Sequence, residues 1–152
     1  MLLSVERSAV PGSAAIFSEA GTLLCKIEEG VSLPSQEPGL SGNPIKHRTV
    51  PRPSGDACSL VQSLLDKCQI NIHDVKRLAT GVGPGSYSGI RSAIAFLKGL
   101  SLPSNTQVQG VSSAMAAALA LYLPDSDNAD FMPMHVVGDA RRGQIWVASC
   151  NT

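Results

Sequence analysis

The sequence predicts an α/β domain in which helices cover a mixed β-sheet. Three short apolar runs separated by turn residues open the 152-residue chain, and this pattern is typical of strands joined by hairpins. Helical and strand-like segments then alternate, and two further strand-like runs follow. The predicted order, βββ-α-β-α-β-α-ββ, combines hairpin strands with strands joined through helices, so the sheet contains both strand orientations.

The first three strands are predicted at Leu2–Glu6, Ser13–Ser18 and Thr22–Glu28. Pro11-Gly12 marks the first turn, because both residues favour turn geometry. The segment Glu19–Gly21 forms the second turn and makes a hairpin. The chain therefore opens with three strands joined by short turns.

Residues 30–55 differ in composition from the rest of the chain. They include five prolines, together with glycines and serines. Such a segment cannot bury enough apolar surface to hold one structure, which predicts a long mobile loop or linker.

A helix is predicted after this loop, from Asp56 to Cys68, with Ser54 or Asp56 as its N-cap. One face of this helix is apolar at helical spacing. The residues of that face are Leu60, Val61, Leu64, Leu65 and Cys68.

The second half of the predicted domain alternates strands and helices. A strand at Arg77–Val82 leads into a glycine-rich segment, and a helix follows from Gly89 to Leu100. The next strand is Val108–Val111, and a strongly apolar helix runs from Ser113 to Leu123, where Pro124 ends it. A last strand pair is predicted at residues 134–139 and 144–150.

The composition is that of a neutral globular protein. Twelve basic and twelve acidic residues give a formal net charge of zero, and 43% of the residues are hydrophobic. A domain that grips nucleic acid alone usually carries a basic excess or stripe, so any contact with RNA is expected to need a partner. Glu6 and Arg7 come too early for a signal peptide, and the apolar stretch from Gly99 to Leu123 is too interrupted for a membrane span.

The four cysteines, Cys25, Cys58, Cys68 and Cys150, contain no CxxC pair. This spacing excludes the redox motif and the zinc knuckle that such pairs form. We expect all four to be small, reduced hydrophobic residues.

A glycine-rich motif, GVGPGSYSGIR, occupies residues 81–91, where a predicted strand ends and a helix begins. Glycines there let backbone amides approach another group closely, and the helix start favours anions. The motif lacks the ending of a Walker A loop and the spacing of a dinucleotide fingerprint. A tight structural turn and a nucleotide-phosphate site both remain open. The residues concerned are Gly83, Pro84, Gly85, Ser86, Tyr87, Ser88, Gly89 and Arg91.

Arg91 lies in the first turn of this helix, where the helix dipole is unfavourable to a cation. A carboxylate or carbonyl partner is therefore expected for its guanidinium, within the chain or across an interface. The alternative is that the side chain extends into water.

The helix from Gly89 to Leu100 is apolar around most of its circumference. One stripe consists of Ile90, Ala93, Ile94, Leu97 and Leu100. A second face is small or apolar and consists of Ser92, Ala95, Phe96 and Gly99. Because such a helix is buried on most sides, the second face predicts a partner chain or, alternatively, cover from the third helix of the same chain.

No catalytic or metal-binding constellation is evident in the sequence. The histidines are His47, His73 and His135, and none has a second ligand at metal-binding spacing on one helix. Ser86 and Ser88 are not in a GxSxG motif. We therefore predict no catalytic residue, no metal and no cofactor.

A charged cluster, Asp139-Ala140-Arg141-Arg142-Gly143, lies between the last two strands. Two neighbouring guanidinium groups could clamp a phosphate. The alternative is a β-turn whose charges extend into solvent.

Four motifs together resemble the TsaB (YeaZ) family. Residues 81–91 resemble its GxGPGSFTGxR signature, with Tyr87 for Phe and Ser88 for Thr. The LKGLS ending of the next helix resembles an AKGLA-like ending, residues 109–113 resemble VGVSSL, and residues 139–143 resemble the start of DARRGEVY. The four follow in the family's order.

This resemblance implies an actin-like, ribonuclease-H-like fold and a role in adding threonylcarbamoyl to adenosine in tRNA. It implies a non-catalytic cytoplasmic scaffold whose partners are the TsaD transferase and the TsaE ATPase, with tRNA reached only through the complex. An association surface for TsaD or a second copy is expected on helices 56–68 and 89–100. Its residues are Leu60, Leu64, Cys68, Ser92, Ala95, Phe96 and Gly99.

The chain departs from the family pattern at several points. Glu6 stands where the family usually has Asp, the segment Pro53–Asp56 replaces a His-Ser helix start, and the loop at residues 30–55 is long. The resemblance implies that residues 1–130 form the actin-like domain and that residues 131–152 begin a second, truncated domain. An enzyme of peptidase or ATP-binding type, and a homodimer without a TsaD partner, are the alternatives to the scaffold.

Overall fold

The structure, a computed structural model, describes residues 1–29, 56–122, 133–141 and 143–150. The loop predicted at residues 30–55 lies outside the described residues, as does Arg142. Within the described residues, the helices and strands follow one another in the predicted order.

A five-stranded mixed sheet organises the chain. β2 pairs antiparallel with both β1 and β3, whereas β4 pairs parallel with both β1 and β5. β1 is therefore the central strand, and its buried and less buried side chains alternate as the pleat requires. This mixed sheet confirms the predicted fold class. The strands, in the spatial order β3-β2-β1-β4-β5, are β1 (Leu2–Glu6), β2 (Ser13–Phe17), β3 (Leu23–Glu28), β4 (Arg77–Gly81) and β5 (Val108–Val111).

Three α-helices have bounds within two residues of the predicted ones: α1 (Ala57–Cys68), α2 (Tyr87–Ser101) and α3 (Ser113–Tyr122). α1 packs against β2 and β3, and α2 packs against β1, β4, β5 and α1. Within the described residues, no helix combines the length and the apolar character that crossing a membrane requires.

Asp56, one of the two predicted N-cap candidates, caps α1. Its carboxylate accepts hydrogen bonds from the hydroxyl and the backbone amide of Ser59. These two bonds, the hydroxyl first, lower the pKa of Asp56 from its ordinary value. A lowered pKa means that the cap stabilises α1 at neutral pH and that this contribution is lost as the pH falls through the lowered value.

A short 3-10 turn at Ile72–Asp74 precedes β4, and the sequence pattern did not predict it. The side-chain oxygen of Asn71 accepts a hydrogen bond of 3.0 Å from the backbone amide of His73 and so caps the turn. A single turn leaves no periodic apolar pattern, which is why hydrophobic spacing does not reveal it.

The main core lies between the sheet and the helices α1 and α2. Because both the strands and the helices contribute fully buried side chains, apolar burial holds the two helices on the sheet. The largest of these side chains are Leu3, Ile16, Leu64, Leu78, Leu97 and Val5.

A second, smaller cluster involves the strands β6 (Met134–Arg141) and β7 (Gln144–Cys150), which form a separate antiparallel pair. α3 packs mainly on this pair, with Ala114, Ala118 and Cys150 buried between them. Trp146 lies against Gly138, where a Cβ atom would collide with the indole ring. The domain boundary expected near residue 130 stays a prediction.

The expectation that all four cysteines are reduced was wrong. Cys25 in β3 and Cys68 at the end of α1 form a disulfide across a sequence separation of 43. Cys58 and Cys150 are free. Sequence spacing could not reveal the pair, because only the packing of α1 beside β3 brings the two cysteines within bonding reach.

The substitution Leu64→Ala tests the assignment of the main core. Leu64 is fully buried, and deleting a buried leucine side chain costs about 3 kcal/mol because transfer energy is lost and a cavity remains. Leu102→Ala is the matched control, since Leu102 is 80% exposed and its loss should change the free energy of unfolding by less than about 0.5 kcal/mol. Urea unfolding measures both. Equal effects would contradict the core described above.

Candidate functional site

The glycine-rich loop joins β4 to α2 at the carboxyl edge of the parallel strands. Ser86 is the N-cap of α2, and its hydroxyl accepts a hydrogen bond of 3.4 Å from the backbone amide of Gly89. Gly83 has a φ of 92°, a conformation that glycine adopts without steric cost. The predicted strand-to-helix turn is therefore present, and α2 begins at Tyr87, earlier than expected.

The loop packs directly against the backbone that follows β1. The amide of Ser86 donates a hydrogen bond of 2.6 Å to the carbonyl of Ser8. A Cβ atom on Gly85 would collide with the backbone of Ser8, and one on Gly89 would collide with the carbonyl oxygen of Arg7. These glycines are needed because their own chain approaches them so closely.

Glu6, the last residue of β1, connects three segments at this edge. One carboxylate oxygen accepts a hydrogen bond of 2.5 Å from the amide of Ser8, and the other accepts one of 2.9 Å from the hydroxyl of Ser113. The Ser113 hydroxyl in turn accepts a hydrogen bond of 3.2 Å from the amide of Gly83. A Cβ atom on Gly81 would collide with the Glu6 carboxylate. Glu6 thus links β1, the glycine-rich loop and the start of α3.

The loop amides bear on the two interpretations left open by the sequence. A phosphate site needs free backbone amides that converge on the anion. At least four amides of this loop instead donate to oxygens of the same chain, so the structure favours the tight structural turn. These bonds are Val82 to Val111 O, Gly83 to Ser113 Oγ, Ser86 to Ser8 O and Gly89 to Ser86 Oγ.

A buried ion pair lies beside the loop. The guanidinium of Arg7 is 2.6 Å from the Glu29 carboxylate, and the two side chains are only 15% and 6% exposed. The amide of Gly12 donates a further hydrogen bond of 3.3 Å to the same carboxylate. The pair fixes the segment after β1, whose Arg7 carbonyl faces Gly89.

Arg91 has a partner on its own helix. Its guanidinium donates a hydrogen bond of 3.1 Å to the Tyr87 hydroxyl and lies 5.2 Å from the centre of the Tyr87 ring. Tyr87 and Arg91 are four residues apart on α2, so their side chains are neighbours on one face. The phenol of an exposed tyrosine thus holds the cation near the helix surface, and a carboxylate or carbonyl partner across an interface stays a prediction.

The outer face of α2, as we name it, consists of Ser88, Ser92, Ala95 and Gly99 with Tyr87 and Leu102 at its ends. All six residues are exposed, and Tyr87 and Leu102 are 74% and 80% exposed. Phe96, predicted to share this face, is half-buried and packs against the main core. α3 packs mainly on β6 and β7, so it does not cover the outer face.

The predicted contribution of α1 to a partner surface was wrong for Leu60 and Leu64. Leu60 and Leu64 are 5% and 0% exposed and belong to the main core. Cys68 is bonded to Cys25. The apolar stripe of α1 therefore faces the sheet, and the side chains of Leu60 and Leu64 are not available to another protein. A partner contact by the half-buried Cys68 stays a prediction.

The second predicted motif, residues 139–143, covers the end of β6 and the turn to β7. Asp139 is exposed, and Gly143 has a φ of 73° that suits a tight turn. The side chain of Arg141 and the whole of Arg142 lie outside the described residues. Whether the two arginines clamp a phosphate stays a prediction.

The serine hydroxyls of the loop are not near a described histidine that could serve as a base. Ser86 and Ser88 lie 3.4 Å apart by their hydroxyl oxygens. His73 is in the turn before β4, at the opposite end of that strand, and His135 hydrogen-bonds to Ser149 in the hairpin. Across residues 1–29, 56–122 and the described part of the hairpin, no group of three His, Cys, Asp or Glu residues could hold a metal ion.

Sequence reasoning missed four residues that shape this edge of the sheet: Arg7, Ser8, Glu29 and Ser113. Arg7 and Glu29 both directly follow predicted strands, which the sequence shows. Their pairing depends on the neighbouring positions of β1, β2 and β3, which the sequence pattern does not specify.

The sequence matches one protein-family model over more than half of its length. The family model for TsaD, described as tRNA N6-adenosine threonylcarbamoyltransferase, matches residues 55–151. The chain belongs to this family. The resemblance to its TsaB (YeaZ) members is confirmed, and the actin-like fold with it.

Relatives and solved structures agree with this assignment. Over 89 residues the chain is 30% identical to the tRNA threonylcarbamoyladenosine biosynthesis protein TsaB of Escherichia coli (strain K12), covering 59% of this chain and 37% of that protein. The TsaB protein of Bacillus subtilis (strain 168) is 30% identical over 90 residues, with the same coverage. YeaZ from Pseudomonas aeruginosa has a TM-score of 0.66 at 23% identity, covering 97% of this chain and 57% of that chain. The chain thus spans just over a third of the length of the TsaB proteins.

Two glycines of α2 provide a matched test of the loop packing. Gly89→Ala places a methyl group against the carbonyl of Arg7 and should destabilise the protein by about 2 kcal/mol, because the backbone must shift. Gly99→Ala meets no atom within 4 Å and should stabilise it by about 0.5–1 kcal/mol, since alanine favours the helix. Thermal unfolding by circular dichroism separates the two. Stabilisation by both would show that the loop does not approach β1 closely.

Two ion pairs provide a second matched test. Arg7→Met leaves the buried Glu29 carboxylate without its cation and should cost about 3 kcal/mol. Lys26→Met removes a partner of Glu28, and both of those side chains are about half exposed, so the change should be less than about 0.5 kcal/mol. Urea unfolding at pH 7 measures the difference. A loss for Arg7→Met as small as that for Lys26→Met would count against a buried pair.

Proposed function

We propose that the chain is a non-catalytic scaffold subunit in tRNA threonylcarbamoyladenosine biosynthesis and that it binds a TsaD-like transferase through the outer face of α2. The observation that carries the proposal is that face, an exposed row of small residues between exposed Tyr87 and Leu102. The family and the names of the relatives supply the process.

The shape of this face supports helix-to-helix docking. Ser88, Ser92, Ala95 and Gly99 recur every three or four residues, so they lie in one row on the helix. Short side chains let a second helix approach closely, since the distance between helix axes depends on the residues at the contact. Tyr87 and Leu102 add large apolar surface at the two ends, and tyrosine is enriched among residues that dominate binding energy.

The proposed role needs no charge or catalytic group from this chain. Its formal net charge is zero, so tRNA is expected to be bound by the complex and not by this subunit alone. At least four amides of the glycine-rich loop donate hydrogen bonds to oxygens of the same chain. These amides are not free to bind the phosphates of ATP. A TsaE-like ATPase is a further expected partner, and a cytoplasmic location is expected with it.

A homodimer through the same face is the second candidate. The row itself carries no charged residue, and Arg91 beside it rests on Tyr87, so a second copy could pack on the same small side chains. A two-fold interface would use the same residues on both copies. The two candidates therefore differ in the partner and not in the surface.

The substitution Ala95→Glu tests the proposed surface. It places a carboxylate in the middle of the exposed row, where burying an unpaired charge in an interface should weaken binding at least a hundredfold. Light scattering after size-exclusion chromatography gives the mass of the chain alone and mixed with TsaD of the same organism. We expect a heterodimer for the natural chain and none for the variant.

Ala20→Glu is the control. It makes the same substitution at an exposed residue in the turn between β2 and β3, away from α2. Binding lost in both variants would point to a non-specific charge effect. A natural chain that forms a homodimer lost in Ala95→Glu and ignores TsaD would select the second candidate. A monomer that ignores TsaD would overturn the scaffold role.

A further inference from the structure

The disulfide between Cys25 and Cys68 joins two peripheral parts of the fold. Cys25 lies in β3, which among the described strands is at the edge of the sheet beside β2, and Cys68 is the last residue of α1. Leu23 and Leu24 at the start of β3 are about half exposed. The bond therefore ties the edge of the sheet to the end of a helix.

The position of α1 on the sheet does not depend on this bond. Leu60, Val61 and Leu64 anchor the first two turns in the main core. The last turn is less buried: Leu65 and Cys68 pack only partly buried against the core, and a long hydrogen bond of 3.4 Å runs from the Lys67 ammonium group to the carbonyl of Lys26. Opening the disulfide should leave the fold intact and loosen only β3 and the end of α1.

We propose that the Cys25–Cys68 bond is exchangeable in the folded protein and acts as a redox-controlled clamp on β3 and the last turn of α1. Both cysteines are half-buried at the rim of the core, so a small thiol can approach them. The reaction partner is a low-molecular-weight thiol of the glutathione class. Oxidised glutathione accepts two electrons and the two thiol protons to give two reduced glutathiones, while the two cysteine thiols become one disulfide.

The other two cysteines do not compete for this pairing. Cys58 is exposed on α1, ten residues before Cys68, which places it about 15 Å away along the helix axis. Cys150 is buried in the second cluster with α3. The same two cysteines, Cys25 and Cys68, are therefore the reacting pair in both redox states.

The first experiment equilibrates the folded chain in buffers that run from oxidised to reduced glutathione. Rapid alkylation and mass spectrometry then count the Cys25–Cys68 bonds. We expect the bonded fraction to pass from nearly complete to nearly absent while the circular dichroism spectrum stays that of the folded protein. A bond that persists at every ratio, a bond that never forms, or a transition that coincides with unfolding would each overturn the proposal.

The second experiment locates the effect of the bond by amide hydrogen exchange. Reduction should raise exchange rates at least tenfold in β3 and in residues 65–69, and leave the middle of α2 unchanged. The double variant Cys25→Ser, Cys68→Ser should show the exchange rates of the reduced protein in both oxidising and reducing buffer. If the double variant does not fold, the comparison of the natural chain in the two buffers still tests the clamp. Cys58→Ser is the control and should respond like the natural chain. Equal exchange in both redox states would refute the clamp.

Discussion

The close approach of the backbone after β1 to the glycine-rich loop determines how the rest of the structure is arranged. Arg7 and Ser8 present carbonyl oxygens to a loop whose glycines leave room for them. Glu6, at the end of the same strand, links the loop to α3 through Ser113. Because this contact places the start of α2, it also determines which side of that helix faces the sheet.

This contact also decides which part of the molecule is available for function. The loop lies at the carboxyl ends of the parallel strands, where α/β folds often bind ligands, yet at least four of its amides donate to the chain's own oxygens. The carboxylate of Glu6 lies against Gly81 at the same edge of the sheet. The outer face of α2 is an exposed surface next to the loop, and it has small residues and two exposed large ones.

Two helices with similar apolar periodicity end in different environments. α1 buries its single stripe against β2 and β3, and its polar side faces solvent. α2 carries apolar or small residues on two sides, and the sheet with α1 can cover only one of them. A single apolar stripe is therefore used up by the core contact, whereas a second apolar or small side stays exposed and is the surface that we propose for a partner.

The sequence by itself determined the order of the elements, the cap at Asp56 and the strand-to-helix turn at the glycine motif, because periodicity, capping and turn chemistry are local properties. Only the tertiary structure decided that Leu60 and Leu64 are core residues, that Cys25 meets Cys68 and that Arg91 rests on Tyr87. It also decided that Gly85 and Gly89 accommodate the backbone at Arg7 and Ser8. These outcomes depend on distances between segments far apart in the chain, and a spacing pattern contains no information about such distances.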